Sequence, residues 1–282
     1  MKELRGLPVS EAIGEEVREK AHAVEVMLGR RPYLSIIRCG EKAADIAYEK
    51  SALKKAEAFG LSAGVEAFPE TVGDGMFMHA FSALNEDRAK DGILLMRPLP
   101  PQINEGFVIS CMDAMKDVDG VSPVNAAGLY LGTEGFAPCT AEAVMEILKF
   151  YHIPLEGKRV VILGRSNVVG KPLALLLLAQ NATVTICHSR TPEPEKICRK
   201  ADILISACGK AKYVTADFIK KGAVVIDVGM DLDEDGALCG DVDFESCKKK
   251  ASAMTPVPGG VGTVTTAILM RHVLEAANRD IL

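Results

Sequence analysis

Residues 159–172 read Arg-Val-Val-Ile-Leu-Gly-Arg-Ser-Asn-Val-Val-Gly-Lys-Pro. The stretch opens with a short apolar run, passes through a turn bounded by Gly164 and Gly170, and enters the apolar segment 172–179. This is the pattern of strand, glycine-rich turn and helix. Glycines let a backbone approach a ligand closely, and a helix N-terminus offers unpaired N–H groups and partial positive charge, so the turn suits a phosphate. The spacing departs from G-x-G-x-x-G. The context is nonetheless a full β-α-β repeat, because apolar strands are predicted again at 183–187, 203–207 and 224–228. Dinucleotide binding is therefore expected at Gly164, Arg165, Ser166, Val169 and Gly170.

Ribose recognition depends on the end of the second strand of such a unit. An Asp or Glu there takes the ribose hydroxyls of NAD. This strand runs instead into His188-Ser189-Arg190, and the first carboxylate is Glu193. Hydroxyl and guanidinium groups suit a 2′-phosphate, and Arg165 adds a second cation, so NADP is expected, with NAD as the alternative.

The pattern continues N-terminally. Strands are predicted at 33–38, 65–68 and 92–96, and helices at 43–59, ending at Gly60, and at 76–85. Continuous apolar strands separated by helices indicate a parallel sheet covered on both faces. Residues 110–140 read as a connecting region with functional loops. Thr140 reads as the N-cap of a helix striped by Val144, Ile147, Leu148 and Tyr151. A last helix is predicted at 264–277.

The composition excludes several classes. The chain has 282 residues, 48% hydrophobic and 25% charged, which describes a globular protein of two domains and not a disordered one. A net charge of −5 argues against a general nucleic-acid binder. The longest apolar run, 173–179, is too short to span a bilayer, and the charged start Met1–Gly6 has no signal-peptide core, so a cytoplasmic location is expected. The eight cysteines include no C-x-x-C pair and no histidine pair at ligand spacing. Reduced, buried thiols and no metal are expected. His22, His79, His152 and His272 are scattered and read as surface or helix residues. The acidic stretch 231–236 lacks the spacing of a calcium loop and reads as a solvated turn.

With these residues in view, the chain resembles the FolD-type methylenetetrahydrofolate dehydrogenase/cyclohydrolase family nearly end to end. The resemblance rests on Lys116-Asp117-Val118-Asp119-Gly120, the 164–172 turn, Cys187-His188-Ser189-Arg190-Thr191, Gly222–Gly229, Gly240–Phe244 and Thr255–Gly262, all in order. It implies an α/β fold of two domains with a cleft between them. Residues 1–139 with 264–282 would form a folate-binding catalytic domain, and 140–263 a Rossmann-like NADP domain. The last helix would pack back on the first domain. A tetrahydrofolate derivative is the implied substrate and a homodimer the implied assembly. Tyr48 matches the tyrosine lying against the folate rings, and Asp119 the carboxylate holding the pterin. Pro258, Gly259 and Gly260 match the loop at the substrate. His188, Ser189, Arg190, Gly209 and Met230 join the expected cofactor residues.

Two departures from the family pattern carry chemistry. The family motif Tyr-x-x-x-Lys supplies the cyclohydrolase lysine, but the row here is Tyr48-Glu49-Lys50-Ser51-Ala52. The family's Gln-Leu-Pro-Leu-Pro supports that lysine, but here it is Met96-Arg97-Pro98-Leu99-Pro100. Ala141 and Thr263, where proline is usual, read as structural drift. Hydride loss from 5,10-methylenetetrahydrofolate needs positioning and no proton transfer at the reacting carbon. Hydration of the methenyl product and ring opening need a positioned acid or base. The expectation is an NADP-dependent dehydrogenase with weak or absent cyclohydrolase. A bifunctional enzyme using Lys54, Lys55 or water is the alternative, and a noncatalytic folate- or NADP-binding protein a more distant one. Another NADP oxidoreductase, such as a shikimate dehydrogenase, finds no support in the first-domain motifs.

Overall fold

The computed structural model describes residues 1–279. Along the chain lie β1 (Lys2–Glu3), α1 (Gly6–Leu28), β2 (Tyr33–Cys39), α2 (Ala43–Ala58), β3 (Ser62–Phe68), α3 (Asp74–Glu86), β4 (Gly92–Leu95), α4 (Glu105–Cys111), α5 (Pro123–Leu131) and α6 (Cys139–Phe150). They are followed by β5 (Arg159–Leu163), α7 (Gly170–Ala179), β6 (Thr183–Cys187), α8 (Pro194–Cys198), β7 (Ile203–Ser206), β8 (Val224–Asp227), β9 (Asp231–Leu232), β10 (Leu238–Cys239), α9 (Phe244–Cys247), β11 (Ala253–Met254) and α10 (Val261–Arg279). The alternation follows the hydropathy pattern, and the strands 92–95, 203–206 and 224–227 are buried throughout, as a parallel sheet covered on both faces requires.

The chain divides into two compact units. One comprises 1–10 and 140–265, the other 11–139 and 266 onward. Compared with the expected grouping of 1–139 with 264–282, residues 1–10 and 264–265 fall with 140–263. For the first ten residues backbone pairing is the reason: Lys2 and Glu3 pair in parallel with Ala253 and Met254, and Gly6 N donates to Gly259 O at 2.8 Å.

In the first of these units six parallel strands run in the order β1-β11-β8-β7-β5-β6. The chain leaves β5 for β6 on one side, then returns to β7 on the other. The strand order therefore reverses between β5 and β7, where open α/β sheets bind ligands beyond the carboxyl ends of their strands. One face is packed by Val161, Leu163, Leu204, Val225 and Met254 with Phe218 and Ile219.

In the other unit β3-β2-β4 form a parallel three-stranded sheet, with Ile37 opposite Leu95. Ile37, Ile93 and Leu95 pack against Phe77 and Phe81 of α3 and Val108 of α4. Region 110–140 is more regular than expected from sequence, since α5 occupies nine residues of it. Ser122 caps α5 by accepting from Asn125 N, Pro123 starts it, and Gly132 at φ 70° ends it. Thr140 is no N-cap, because α6 already begins at Cys139.

Candidate active site

Gly164 and Gly170 are required by close approach. Gly164 sits at φ 124°, and a Cβ there would lie 2.2 Å from Ala207 O; a Cβ on Gly170 would lie 2.2 Å from Gly164 O. The turns after β5 and β7 thus touch backbone to backbone at the reversal point. Ser166 Oγ accepts from Val169 N at 3.1 Å, and Lys171 N donates to Ser166 O, winding the turn into α7. Arg165 and Ser166 remain exposed. Beyond β6, His188 N donates to Thr191 Oγ1 at 2.9 Å, and His188 Nδ1 accepts from Arg190 N at 3.1 Å. His188 therefore shapes its own turn, and Ser189 and Arg190 are left exposed. These groups fit a phosphorylated dinucleotide: a cradle that side chains would fill, a helix N-terminus, and two exposed guanidinium-bearing residues on adjacent strand ends. Gly209, at φ 63° with open space beside it, and Met230, 69% exposed, follow β7 and β8.

Tyr48 and Asp119 are brought together in the other unit. Tyr48 lies on α2, and its hydroxyl bonds the side chain of Thr266. Burial, with Asp119 and Cys139 nearby, pushes the Tyr48 hydroxyl well above its usual range, so it stays protonated. Asp119 lies in the turn before α5. Burial, reinforced by Asp117, pushes its carboxyl up to about 6, while Arg97, the Cys139 thiol and His272 pull the other way. The backbone under Asp119 is pinned from several sides. Buried Asp117 accepts from Val121 N at 3.0 Å, Ser122 N at 2.7 Å and Asn125 Nδ2 at 2.8 Å. His272 Nδ1 lies 2.8 Å from Val118 O and Cys139 Sγ 3.2 Å from the same oxygen. The carbonyl only accepts, so both side chains donate.

His272 lies on α10, in keeping with the helix reading, but it is not a surface residue: it is 2% exposed and packs on Phe136 at 4.8 Å. Sequence reasoning missed it because the bond joins residues 154 positions apart. Arg97 was likewise passed over. It is the cation facing Asp119, and its Nη1 lies 3.8 Å from Glu105 Oε1.

Ala52 is fully buried and Met96 is 8% exposed, so the two departures are apolar floor and not solvent-facing drift. Lys50 and Lys54 are exposed. The Lys55 ammonium lies 5.4 Å from the Phe59 ring; burial lowers its pKa and Glu11 opposes the shift. Phe59 lies eleven residues past Tyr48, roughly 16 Å along a helix axis.

Pro258, Gly259 and Gly260 belong to the other compact unit. Gly259 has φ 99°, and a Cβ on Gly260 would meet Pro256 O at 2.4 Å, so this loop also depends on missing side chains. All eight cysteines are free, and no cluster of metal-ligating side chains occurs among the described residues. No described helix is long and apolar enough to cross a membrane.

The parallel sheet with its reversal point and glycine cradle defines an α/β protein of the dinucleotide-binding class. Residues 4–119 match the family model for the tetrahydrofolate dehydrogenase/cyclohydrolase catalytic domain, and residues 138–281 match that for its NAD(P)-binding domain. The chain belongs to the tetrahydrofolate dehydrogenase/cyclohydrolase family, which acts in one-carbon folate metabolism. It is 48% identical over 274 residues to the bifunctional protein FolD of Clostridium kluyveri, covering 97% of this chain and 96% of that one. The crystal structure of the bifunctional FolD of Campylobacter jejuni superposes with a TM-score of 0.96 at 40% identity, covering 99% of each chain. The Trypanosoma brucei FolD, solved with NADP and an inhibitor, gives 0.93 at 38% identity over 98% of this chain and 97% of that one.

Proposed function

We propose that the protein oxidises 5,10-methylenetetrahydrofolate to 5,10-methenyltetrahydrofolate with NADP, and that it hydrolyses the methenyl product weakly or not at all. The observation carrying this reading is Ala52, fully buried one helical turn from Tyr48, with Met96 buried at the end of β4. A lysine at 52 would share the face of Tyr48. With alanine there, the nearby lysines are either exposed or drawn to Phe59 and Glu11. Arg97 does not substitute for an acid or base, because a guanidinium keeps its proton at any working pH.

Bound NADP supplies the hydride acceptor. Tyr48 presents its ring to the pterin, and Asp119, ionised above pH 6 or so, accepts the adjacent N–H donors of the pterin edge. Asp117, His272 and Cys139 hold the Asp119 turn still, so orientation is set before substrate arrives. Oxidation moves a hydride from the one-carbon unit and leaves the folate cationic. The electron pair that assists comes from folate nitrogen, so no side chain exchanges a proton at the reacting carbon. Gly164–Gly170 would cradle the pyrophosphate, with Arg165, Ser189 and Arg190 around the 2′-phosphate, His188 shaping the turn that carries the last two, and Gly209 and Met230 beside the dinucleotide. Pro258–Gly260 would admit the substrate. A homodimer and a cytoplasmic location complete the reading, on the family resemblance.

A second reading, the bifunctional enzyme, is favoured by the names of the relatives, which are called bifunctional at 48% identity. One experiment separates the two. Purified protein with demonstrated NADP-dependent dehydrogenase activity is added to 5,10-methenyltetrahydrofolate, and hydrolysis is compared with buffer. A rate equal to buffer supports the first reading, and clear acceleration supports the second.

A further inference from the structure

Two buried carboxylates lie under the turns that follow β7 and β8, and nothing in the proposed chemistry uses them. Asp241 is fully buried. Its Oδ2 accepts from Ser206 Oγ at 2.8 Å and from Cys208 N at 2.7 Å, and its Oδ1 accepts from Lys210 N at 2.8 Å. Three donors from the 206–210 segment thus converge on one side chain, and the amides of Cys208 and Lys210 flank Gly209 on both sides. Asp227, 3% exposed, repeats the device one strand over. Its Oδ1 accepts from Gly229 N and Asp241 N, each at 3.0 Å, and its Oδ2 accepts from Val242 N at 2.9 Å. Asp227 therefore fixes both the backbone carrying Asp241 and the turn leading to Met230.

The surrounding glycines fit this arrangement. A Cβ on Gly229 would lie 2.6 Å from Asp241 Oδ1, and one on Gly240 would lie 2.1 Å from Asp227 Oδ2. Side chains at either position would push the carboxylates off their donors. Gly209 itself sits at φ 63° with nothing near its missing side chain. Gly209 makes no side-chain contact, and the two amides beside it are held by Asp241, with Cys208 packed against the core of the sheet. A carboxylate taken from water is stable only where donors replace its hydration, and here backbone N–H groups supply most of them.

We propose that Asp241, held by Asp227, is a positioning residue for the dinucleotide: it presets the Cys208–Lys210 turn in its binding conformation and takes no part in folate binding. The proposal rests on the reading that Gly209 faces the cofactor. Preorganisation of this kind lowers the ordering cost of binding, so its loss acts on affinity for one ligand alone.

The test compares Asp241→Asn with the wild-type full chain. The amide keeps one acceptor oxygen but turns an N–H₂ group toward a backbone N–H. The Kd for NADP, measured by calorimetry, is expected to rise at least about tenfold, the size of one lost charge-assisted bond. The folate KM at saturating NADP should stay within about twofold, since no Asp241 bond reaches that site. An unchanged Kd for NADP, or equal losses for both ligands, overturns the proposal. If Asp241→Asn does not fold, Ser206→Ala carries the test by removing a single donor. Its Kd for NADP is then expected to rise about threefold with the folate KM unmoved; no rise overturns the proposal. Gly209→Asp checks the underlying reading, because Asp tolerates the left-handed region and adds a charged group into the open space. If it leaves NADP affinity intact, the turn does not face the cofactor and both statements fall. If it weakens affinity while Asp241→Asn does not, only the positioning role falls.

Discussion

Arg38 Nε lies 2.6 Å from Glu49 Oε2, and each of these side chains is 12% exposed. The pair ties the end of β2 to α2 one residue past Tyr48. Removing one partner strands a poorly solvated charge, so Arg38→Leu is expected to lower unfolding free energy by about 3 kcal/mol. Arg38→Leu with Glu49→Leu should recover most of that loss. Urea unfolding of the two single variants and the double variant checks it. A double variant no better than the worse single one would count against a coupled pair.

Introducing the family's lysine and glutamine is a gain-of-function prediction. Ala52→Lys with Met96→Gln should raise methenyltetrahydrofolate hydrolysis by about 10²-fold or more, the usual contribution of a positioned acid or base. Each single change should give much less, because a lysine without its amide partner is poorly aimed. The fully buried site at 52 makes the added amine titrate low. Dehydrogenase turnover, measured on the same preparations, should change little.

Asp119 gives a pH dependence with a definite sign. With its carboxyl pushed up to about 6 by burial, the form that would accept pterin N–H bonds under the proposed reading is lost as pH falls through that value. The Kd for a non-reacting folate analogue should rise about tenfold per pH unit below it, since one proton is involved. Stability runs the opposite way. The folded value exceeds the reference of 3.8, so protonation favours folding; that stabilisation is complete below 3.8 and lost as pH climbs to about 6. Asp119→Asn, neutral throughout, should therefore unfold at higher temperature than wild type at pH 8 and at nearly the same temperature at pH 3.5.

Cofactor choice is checked at Arg190. Arg190→Ala should raise the KM for NADP by about tenfold to a hundredfold, the worth of a charge-assisted phosphate contact. The KM for NAD, which has no 2′-phosphate, should hardly move. A comparable rise for both cofactors would place Arg190 elsewhere than at the ribose.

Much of the fold was legible because its strands are short apolar runs closed by glycine or proline. Arg159–Leu163 and the turn after it announced the nucleotide-binding sheet, and Gly60, observed at φ 81°, stops α2 where expected. What escaped was non-local. β1 and β11 have two residues each, too few for any periodicity, and pair across 251 positions. α5 was hidden by the glycines and prolines around it, although Ser122-Pro123 is a helix start in retrospect. At the candidate site, Tyr48, Ala52, Met96 and Asp119 were singled out by motif. His272, Cys139 and Arg97 were not, because their importance comes from which carbonyl or carboxylate they meet. Asp227 and Asp241 stood inside recognised motifs, yet their partnership is visible only where six N–H and O–H donors converge.

The pairing of Lys2–Glu3 with Ala253–Met254 has a consequence for dissecting the molecule. The six-stranded sheet is closed on that side by a strand borrowed from the opposite end of the chain. A fragment starting at residue 140 would carry β11 as a raw edge with unpaired amides and carbonyls, an invitation to intermolecular strand addition. Supplied in trans, a peptide of residues 1–10 would be the natural plug for that edge.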